Sequence, residues 1–374
     1  MTAPQWTPKL QKECGLLHCF TARLRSLTSR RHWDAAIDAG SCKMNRIASA
    51  KSRNELASSP APTYADMQDK INRPIFVVGS PRSGTSILTW CLGQHPNIFP
   101  VPESNWMGEF AINAAVSYRV GTARNNRTIL SAMDISREEF FANFGWSIND
   151  LILSHRLDLE RKRKITRPPT EPRMRWVDGT PEYSLHIYAL RKLFPGAVFI
   201  HLLRDVRDVV RSMLNFHRVA GTHLVQNEEQ AYKYWLRMVK ACVQAERAYG
   251  SEVVRRLSYT ALIDDPKSAI RSLLDFVGEP YCARCLEPLS RRINSSNVPP
   301  DFVAEDPATD PSVVQDATNL YTKLQKMAGS AEASSAVADE IEAAFTARVQ
   351  HMATVDKQLH KAMQMIQTLE KAGS

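Results

Sequence analysis

Residues 75–86 read IFVVGSPRSGTS. The β-branched, apolar run between Pro74 and Gly79 has the character of a strand buried on both faces. Gly79 and Gly84 have the spacing of a phosphate-binding loop, in which the second glycine is followed by Lys and then by Ser or Thr. Here Thr85 stands in place of the lysine, and Ser86 follows. The next stretch, TSILTWCLGQHP, reads as a helix opening at Gly84 and stopping before Pro96. In a strand, glycine turn and helix of this kind, backbone N–H groups and a helix N-terminus gather around an anion. Those donors do not need the lysine. Its loss argues against a ligand whose β- and γ-phosphates are held with Mg²⁺, and for a smaller anionic group neutralised by another residue. Ser80, Pro81, Arg82, Ser83, Gly84, Thr85 and Ser86 are therefore the candidate anion contacts. Arg82 carries a planar fork suited to anionic oxygens.

Around this loop the chain is ordinary in bulk. Its 374 residues are 44% hydrophobic, enough to bury a core, and its net charge is +9. That basic excess fits an anionic ligand, and no base-reading motif points to nucleic acid. The seven cysteines (14, 19, 42, 91, 242, 282 and 285) are odd in number and scattered, which fits a reducing compartment. Cys282 and Cys285 form a lone CxxC with no second ligand pair, so they read as ordinary thiols, and no metal is expected. No apolar run is long enough to span a membrane. The N-terminal stretch has no apolar signal core, and its Arg- and Ser-rich segment 20–33 is interrupted by the acidic residues around it. A cytoplasmic protein is expected.

Three regions are expected. Residues 1–70 read as a basic leader ending in the linker-like ASSPAPTYADMQ. Residues 71–330 read as an α/β domain, a central parallel sheet flanked by helices. AVFIHLL (197–203) and EVVRRLSY (252–259) are its further strands, and RDVRDVVRSMLNF is a helix with an apolar stripe. TPEYSLHIYALRKLF reads as one helix, with Thr180 as N-cap and Pro181 at its first position. Residues 331–374 read as a surface-packed or dimerising helix. The basic run RLDLERKRKITR at 156–167 is read as a solvated face, and its 161–167 part favours an anionic acceptor if it touches substrate.

The segment VVGSPRSGTSILTWCLGQHPNIFPVPE resembles the phosphosulfate loop of sulfotransferases that use 3′-phosphoadenosine 5′-phosphosulfate. FIHLLRDVRDVVRSMLNF is similar to their second signature, in which a strand-ending Arg and a Ser eight residues later bind the 3′-phosphate; these fall on Arg204 and Ser212. Arg204 leaves the carboxyl end of a strand, where open α/β folds bind ligands, and Ser212 lies two turns into the following helix, so both can reach one phosphate. The third strand resembles the family's as well, placing a nucleotide-holding Tyr at Tyr259. RRINSSNVPP is similar to the late loop that closes over the nucleotide, with Arg291, Arg292, Ser295 and Ser296 as phosphate contacts. The resemblance covers residues 73–300, and the first two motifs, in this order, are its specific part.

It implies transfer of a sulfuryl group to an acceptor hydroxyl or amine of a carbohydrate, glycolipid or small metabolite. In the protein-tyrosine sulfotransferase branch a Glu after an HP dipeptide is the base, a role that falls on Glu103. Arg82, Thr180 and His186 complete the expected catalytic set, with Asp178 beside Thr180. Two rivals remain. A P-loop kinase without its lysine needs a carboxylate at a strand end to hold Mg²⁺, whereas the later strands end near Arg204 and Tyr259. A catalytically inactive nucleotide-binding scaffold is the other.

Overall fold

The computed structural model describes residues 73–123, 127–156, 158, 162, 175–290, 298–299, 301–327 and 332–372. The expected leader and all but Arg156, Asp158 and Lys162 of the 156–167 run lie outside the described residues, and Arg156 is buried where a solvated face is expected. At the centre is a five-stranded parallel sheet in the order β2-β3-β1-β4-β5. Its strands are β1 (Ile75–Val78), β2 (Ile98–Pro100), β3 (Arg175–Asp178), β4 (Val198–Leu203) and β5 (Val254–Ser258).

β1 takes the middle because all four of its side chains are apolar and none is exposed. Alternate residues of a strand face opposite ways, so Phe76 and Val78 enter one core and Ile75 and Val77 the other. Phe76 stacks on Phe199 with ring centroids 5.2 Å apart and meets Trp176 edge-on at 5.4 Å. The expected α/β architecture is present, with two strands more than the sequence pattern reveals. β2 is only three residues long, and β3 is two apolar residues between Arg175 and Asp178, so neither carries a periodic apolar signal.

Helix α1 (Thr85–Leu92) follows the loop, and α2 (Met107–Thr122), α3 (Ile129–Ala132) and α4 (Arg137–Ser154) fill the connection between β2 and β3. After β3 the structure corrects the single helix expected from Thr180. A 3₁₀ turn covers Pro181–Leu185, His186 breaks it at φ −125°, and α5 is Ile187–Leu193. Thr180 makes no side-chain cap; its hydroxyl has other partners, described below. α6 (Val206–Leu214) starts where the Asp205 carboxylate accepts the N–H groups of Arg207 and Asp208. Then come α7 (His217–Ala220), α8 (Glu228–Tyr249), α9 (Tyr259–Asp264), α10 (Pro266–Val277), α11 (Pro311–Lys326) and α12 (Ser335–Ala372). No helix among the described residues is long and apolar enough to cross a membrane.

The far edge of the sheet is locked by a buried polar trio. His201 on β4 and Arg256 on β5 are register partners. Glu246, reaching in from α8, lies 2.5 Å from His201 Nδ1 and accepts from both Arg256 Nε (3.1 Å) and Arg256 Nη2. Burial alone would raise the Glu246 pKa; the bonds and charges of His201 and Arg256 overcome it and hold the carboxylate below its usual range.

Candidate functional site

The phosphate-type loop keeps its shape through positions that reject other side chains. Gly79 has φ +144°, and a Cβ there would lie 2.6 Å from the Leu202 carbonyl oxygen of β4. Gly84 has φ +103°, and a Cβ there would strike the Tyr259 ring at 2.7 Å. Arg82, between them, is itself left-handed at φ +71°. Left-handed residues in a turn leading into a helix make the N–H concavities that hold anions. The Gly79 N–H donates to Ser184 Oγ at 2.9 Å, tying the loop to the turn after β3. Ser80 and Ser83 are buried beneath the loop and do not line the space in front of it. Ser83 Oγ has no hydrogen-bond partner among the described residues.

In front of the loop, at the carboxyl end of the sheet, lies a cavity of about 630 Å³. Pro81, Arg82, Gly84, Thr85, Ser86, Glu103, Arg204, Ser212 and Tyr259 all line it, so residues 178 positions apart meet there. The arginines are interlocked. Arg82 Nε donates to Ser212 Oγ at 3.2 Å, and its guanidinium lies 5.0 Å from the Phe216 ring centroid. Arg204 Nη1 donates to the Arg82 carbonyl at 3.2 Å, and its guanidinium covers the Tyr259 ring at 4.5 Å. Burial, and then the charge of Arg204, lower the Arg82 pKa, while Glu103 opposes them. Two like charges held this close are stabilised by an anion between them. Arg211, next to Ser212, joins the same wall. The Nε atoms of Arg204 and Arg211 are buried without a partner among the described residues.

Glu103 reaches the loop at Ser86. Partial burial raises its pKa, Glu182 and Asp178 add to the rise, and a hydrogen bond with Ser86 and the charge of Arg82 oppose it. Its side chain remains open to the cavity. The backbone beside it is fixed by a buried polar network. The Ser104 N–H donates to Thr180 Oγ1 at 2.9 Å, and Ser104 Oγ donates to Asp178 Oδ2 at 2.7 Å. Asp178 Oδ1 accepts the Thr180 hydroxyl at 2.6 Å and its N–H at 2.8 Å. Tyr183 OH also meets Ser104 Oγ and accepts the Met107 N–H at 3.0 Å.

The network decides the place of two expected residues. Thr180 is fully buried, outside the cavity lining, and uses its hydroxyl to hold the residue after Glu103. Asp178 ends β3, directly beside β1, where a kinase of this architecture would carry its metal-binding carboxylate. Both of its oxygens are instead taken by Ser104 and Thr180, and it has no exposed surface. Thr180→Val is expected to reduce turnover by about tenfold with little change in donor binding, because the part-buried Ser104 N–H beside Glu103 loses its acceptor, at a cost of about 1–3 kcal/mol when water cannot replace it. Steady-state kcat measured beside bisphosphate-nucleotide affinity checks it, and equal losses in both would mean general loss of structure.

His186 lies elsewhere. It lines a second cavity of about 190 Å³ facing α8 and α12, and burial, then Arg348, lower its pKa to about 4. Arg291, Arg292, Ser295 and Ser296 lie outside the described residues, although Val298, just beyond them, lines the main cavity. Glu182, Arg211 and Phe216 are cavity residues that sequence reasoning misses. Glu182 reads only as a helix-start acid, while Arg211 and Phe216 flank the singled-out Ser212 on α6 and the turn after it.

A family model described as the sulfotransferase family matches residues 74–282, more than half of the chain. The chain belongs to the sulfotransferase family. A putative protein-tyrosine sulfotransferase of Caenorhabditis briggsae is 23% identical over 221 residues, 59% of this chain and 70% of that protein. Protein-tyrosine sulfotransferase A of Caenorhabditis elegans is 23% identical over 228 residues, 60% of this chain and 55% of that protein. An uncharacterized protein of Aquifex aeolicus is 26% identical over 230 residues, 58% of this chain, and the match spans only 26% of that relative's length. Among solved structures, the sulfotransferase domain of the Synechococcus PCC 7002 olefin synthase superposes with a TM-score of 0.41 at 20% identity, covering 69% of this chain and 96% of that one. In this member of the family the lysine of the general loop is absent, and the arginines at 82, 204 and 211 face the same cavity.

Proposed function

We propose that this sulfotransferase takes its sulfuryl group from 3′-phosphoadenosine 5′-phosphosulfate and passes it to an acceptor hydroxyl or amine, with Glu103 as general base. The observation that carries the reading is the convergence of the loop, Arg204, Ser212 and Glu103 on one cavity. The residues fit a nucleotide with two separate anionic groups. The loop and Arg82 meet one anionic group, and Arg204, Arg211 and Ser212, linked to Arg82 by its bond to Ser212, meet the other; the Nε atoms of Arg204 and Arg211 lack partners among the described residues. The donor supplies an activated sulfuryl group when bound. Arg82, Thr85 and Ser86 stand where they can hold its oxygens as charge builds on them.

The bond that breaks joins sulfur to the phosphate oxygen, and the bond that forms joins sulfur to the acceptor oxygen or nitrogen. The acceptor's proton passes to the Glu103 carboxylate, and 3′-phosphoadenosine 5′-phosphate leaves. A raised pKa suits this work, because a base is most effective when its pKa approaches the operating pH. The rate should therefore rise with pH along a limb lying above the ordinary carboxylate range. Glu182→Gln is expected to shift that limb to lower pH, since removing a neighbouring negative charge lowers the Glu103 pKa. A pH profile of kcat/KM that does not move in the variant would remove Glu182 from the electrostatics of the base.

The reading is tested by calorimetry with 3′-phosphoadenosine 5′-phosphate against ATP with Mg²⁺. Micromolar, metal-independent binding of the bisphosphate supports it; preference for Mg²⁺-ATP returns the site to the kinase alternative. In the same assay Arg204→Ala is expected to weaken bisphosphate binding by about 1.5–3 kcal/mol, the range for hydrogen bonds to charged groups. Unchanged affinity would take Arg204 out of the nucleotide site.

A further inference from the structure

Among the described residues the cations of the cavity are Arg82, Arg204 and Arg211, gathered around the loop and Ser212; Asp208 lies 3.7 Å from Arg204 Nη2, and Glu103 reaches the loop at Ser86 and is electrostatically coupled to Arg82. The cavity carboxylates Glu103 and Glu182 lie close enough that Glu182 raises the Glu103 pKa, and buried Asp178 behind them does the same. Glu182 is held toward this space by Tyr234, whose hydroxyl donates to Glu182 Oε1 at 2.8 Å. A general base accounts for one carboxylate. The second, Glu182, raises the pKa of that base and still has no assigned contact with the acceptor. Val219, Ala220 and Leu224 add an apolar wall to the same cavity, beside the Phe216 ring.

Resting on the sulfotransferase reading above, we propose that the acceptor carries a cationic group, a protonated amine, attached to an apolar body, and that Glu182 binds this ammonium while Glu103 faces the reacting hydroxyl. With an anionic nucleotide matched to the arginines, the charged lining left for an acceptor among the described residues is negative, with the apolar wall beside it. An anionic acceptor, which the basic run at 161–167 favours, would enter against both Glu103 and Glu182, and like charges in a partly desolvated cavity repel strongly. An ammonium relieves that repulsion, and its apolar portion covers Val219, Ala220 and Leu224. A neutral acceptor gains only the second of these effects.

A matched pair of phenols tests the charge requirement at constant shape. Tyramine presents a phenol and an ammonium, and 3-(4-hydroxyphenyl)propionate presents the same phenol and a carboxylate. Their binding is measured by calorimetry to the full chain saturated with 3′-phosphoadenosine 5′-phosphate. The inference expects tyramine to bind at least tenfold more tightly. It also expects Glu182→Gln, which keeps an acceptor oxygen for Tyr234, to shrink that ratio to about threefold or less while bisphosphate affinity stays as in the unaltered protein. Equal binding of the two, tighter binding of the propionate, binding of neither, or a ratio untouched by Glu182→Gln would each overturn it. Failure of the bisphosphate itself to bind would instead overturn the donor reading, so the two failures are told apart in one titration series.

Discussion

Glu103→Gln is expected to bind 3′-phosphoadenosine 5′-phosphate as well as the unaltered protein and to turn over about 10² to 10⁴ more slowly, the usual contribution of a positioned general base. The amide keeps the size and hydrogen-bonding reach of the carboxylate toward Ser86, so the loop is not disturbed. What it cannot do is accept the acceptor's proton. The loss should fall on kcat, and the rising limb of the pH profile should vanish. Single-turnover sulfation, with affinity measured in parallel, checks both. Full activity would move the base elsewhere. The nearest other carboxylates are not equivalent: Glu182 accepts from Tyr234, and both oxygens of Asp178 are occupied in the network beneath.

The second large effect concerns stability. Glu246→Gln is expected to cost about 3–5 kcal/mol, because removing one partner from a buried ionic group leaves the other charge uncompensated. Arg256 and His201 are held at the sheet edge by this carboxylate, and Glu246 is only 7% exposed. The pH dependence has a defined sign. A carboxylate whose pKa is depressed by folding stabilises the fold fully above its unfolded-state pKa, and that stabilisation is lost as pH falls through the folded-state value. The gap between the two proteins should therefore be widest near neutrality and close on acidification below the ordinary glutamate range. Urea titrations at several pH values measure it; a gap below about 1 kcal/mol at neutrality would class the trio with weak surface pairs.

Much of the loop side of the cavity is legible in the amino-acid sequence. The glycine spacing, Arg82, Arg204 and Ser212 belong to two short strand-to-helix segments that stand out as patterns, although the bonds that join them span 122 and 130 positions and belong to the tertiary structure. The side of the cavity around Glu103 and Glu182 is not legible in the same way. Glu103 is reached only through resemblance, and Thr180, expected among the catalytic residues, instead holds Ser104 from below with its hydroxyl. His186 lies one residue past the 3₁₀ turn, and the break at that residue turns its ring toward α8 and α12 and away from the loop. Helical periodicity, which runs unbroken from Thr180 to Phe194, does not reveal that break.

The sequence by itself determined the α/β class, the burial of the IFVV strand and the phosphate-type turn, because these follow from local patterning: an unbroken β-branched apolar run, then two glycines spaced ahead of a helix. The central place of that strand, and the Leu202 and Tyr259 atoms that leave no room for a Cβ at Gly79 and Gly84, belong to the tertiary structure. Only the tertiary structure decided which carboxylates share the cavity. The strand order sets β3 beside β1, so the residues after Asp178 come against the loop at Gly79, and Glu182 is brought near Glu103 across 79 positions of sequence. Electrostatic coupling depends on distance through space, and the packing of β2, β3 and α1 fixes that distance. The pattern along the chain does not.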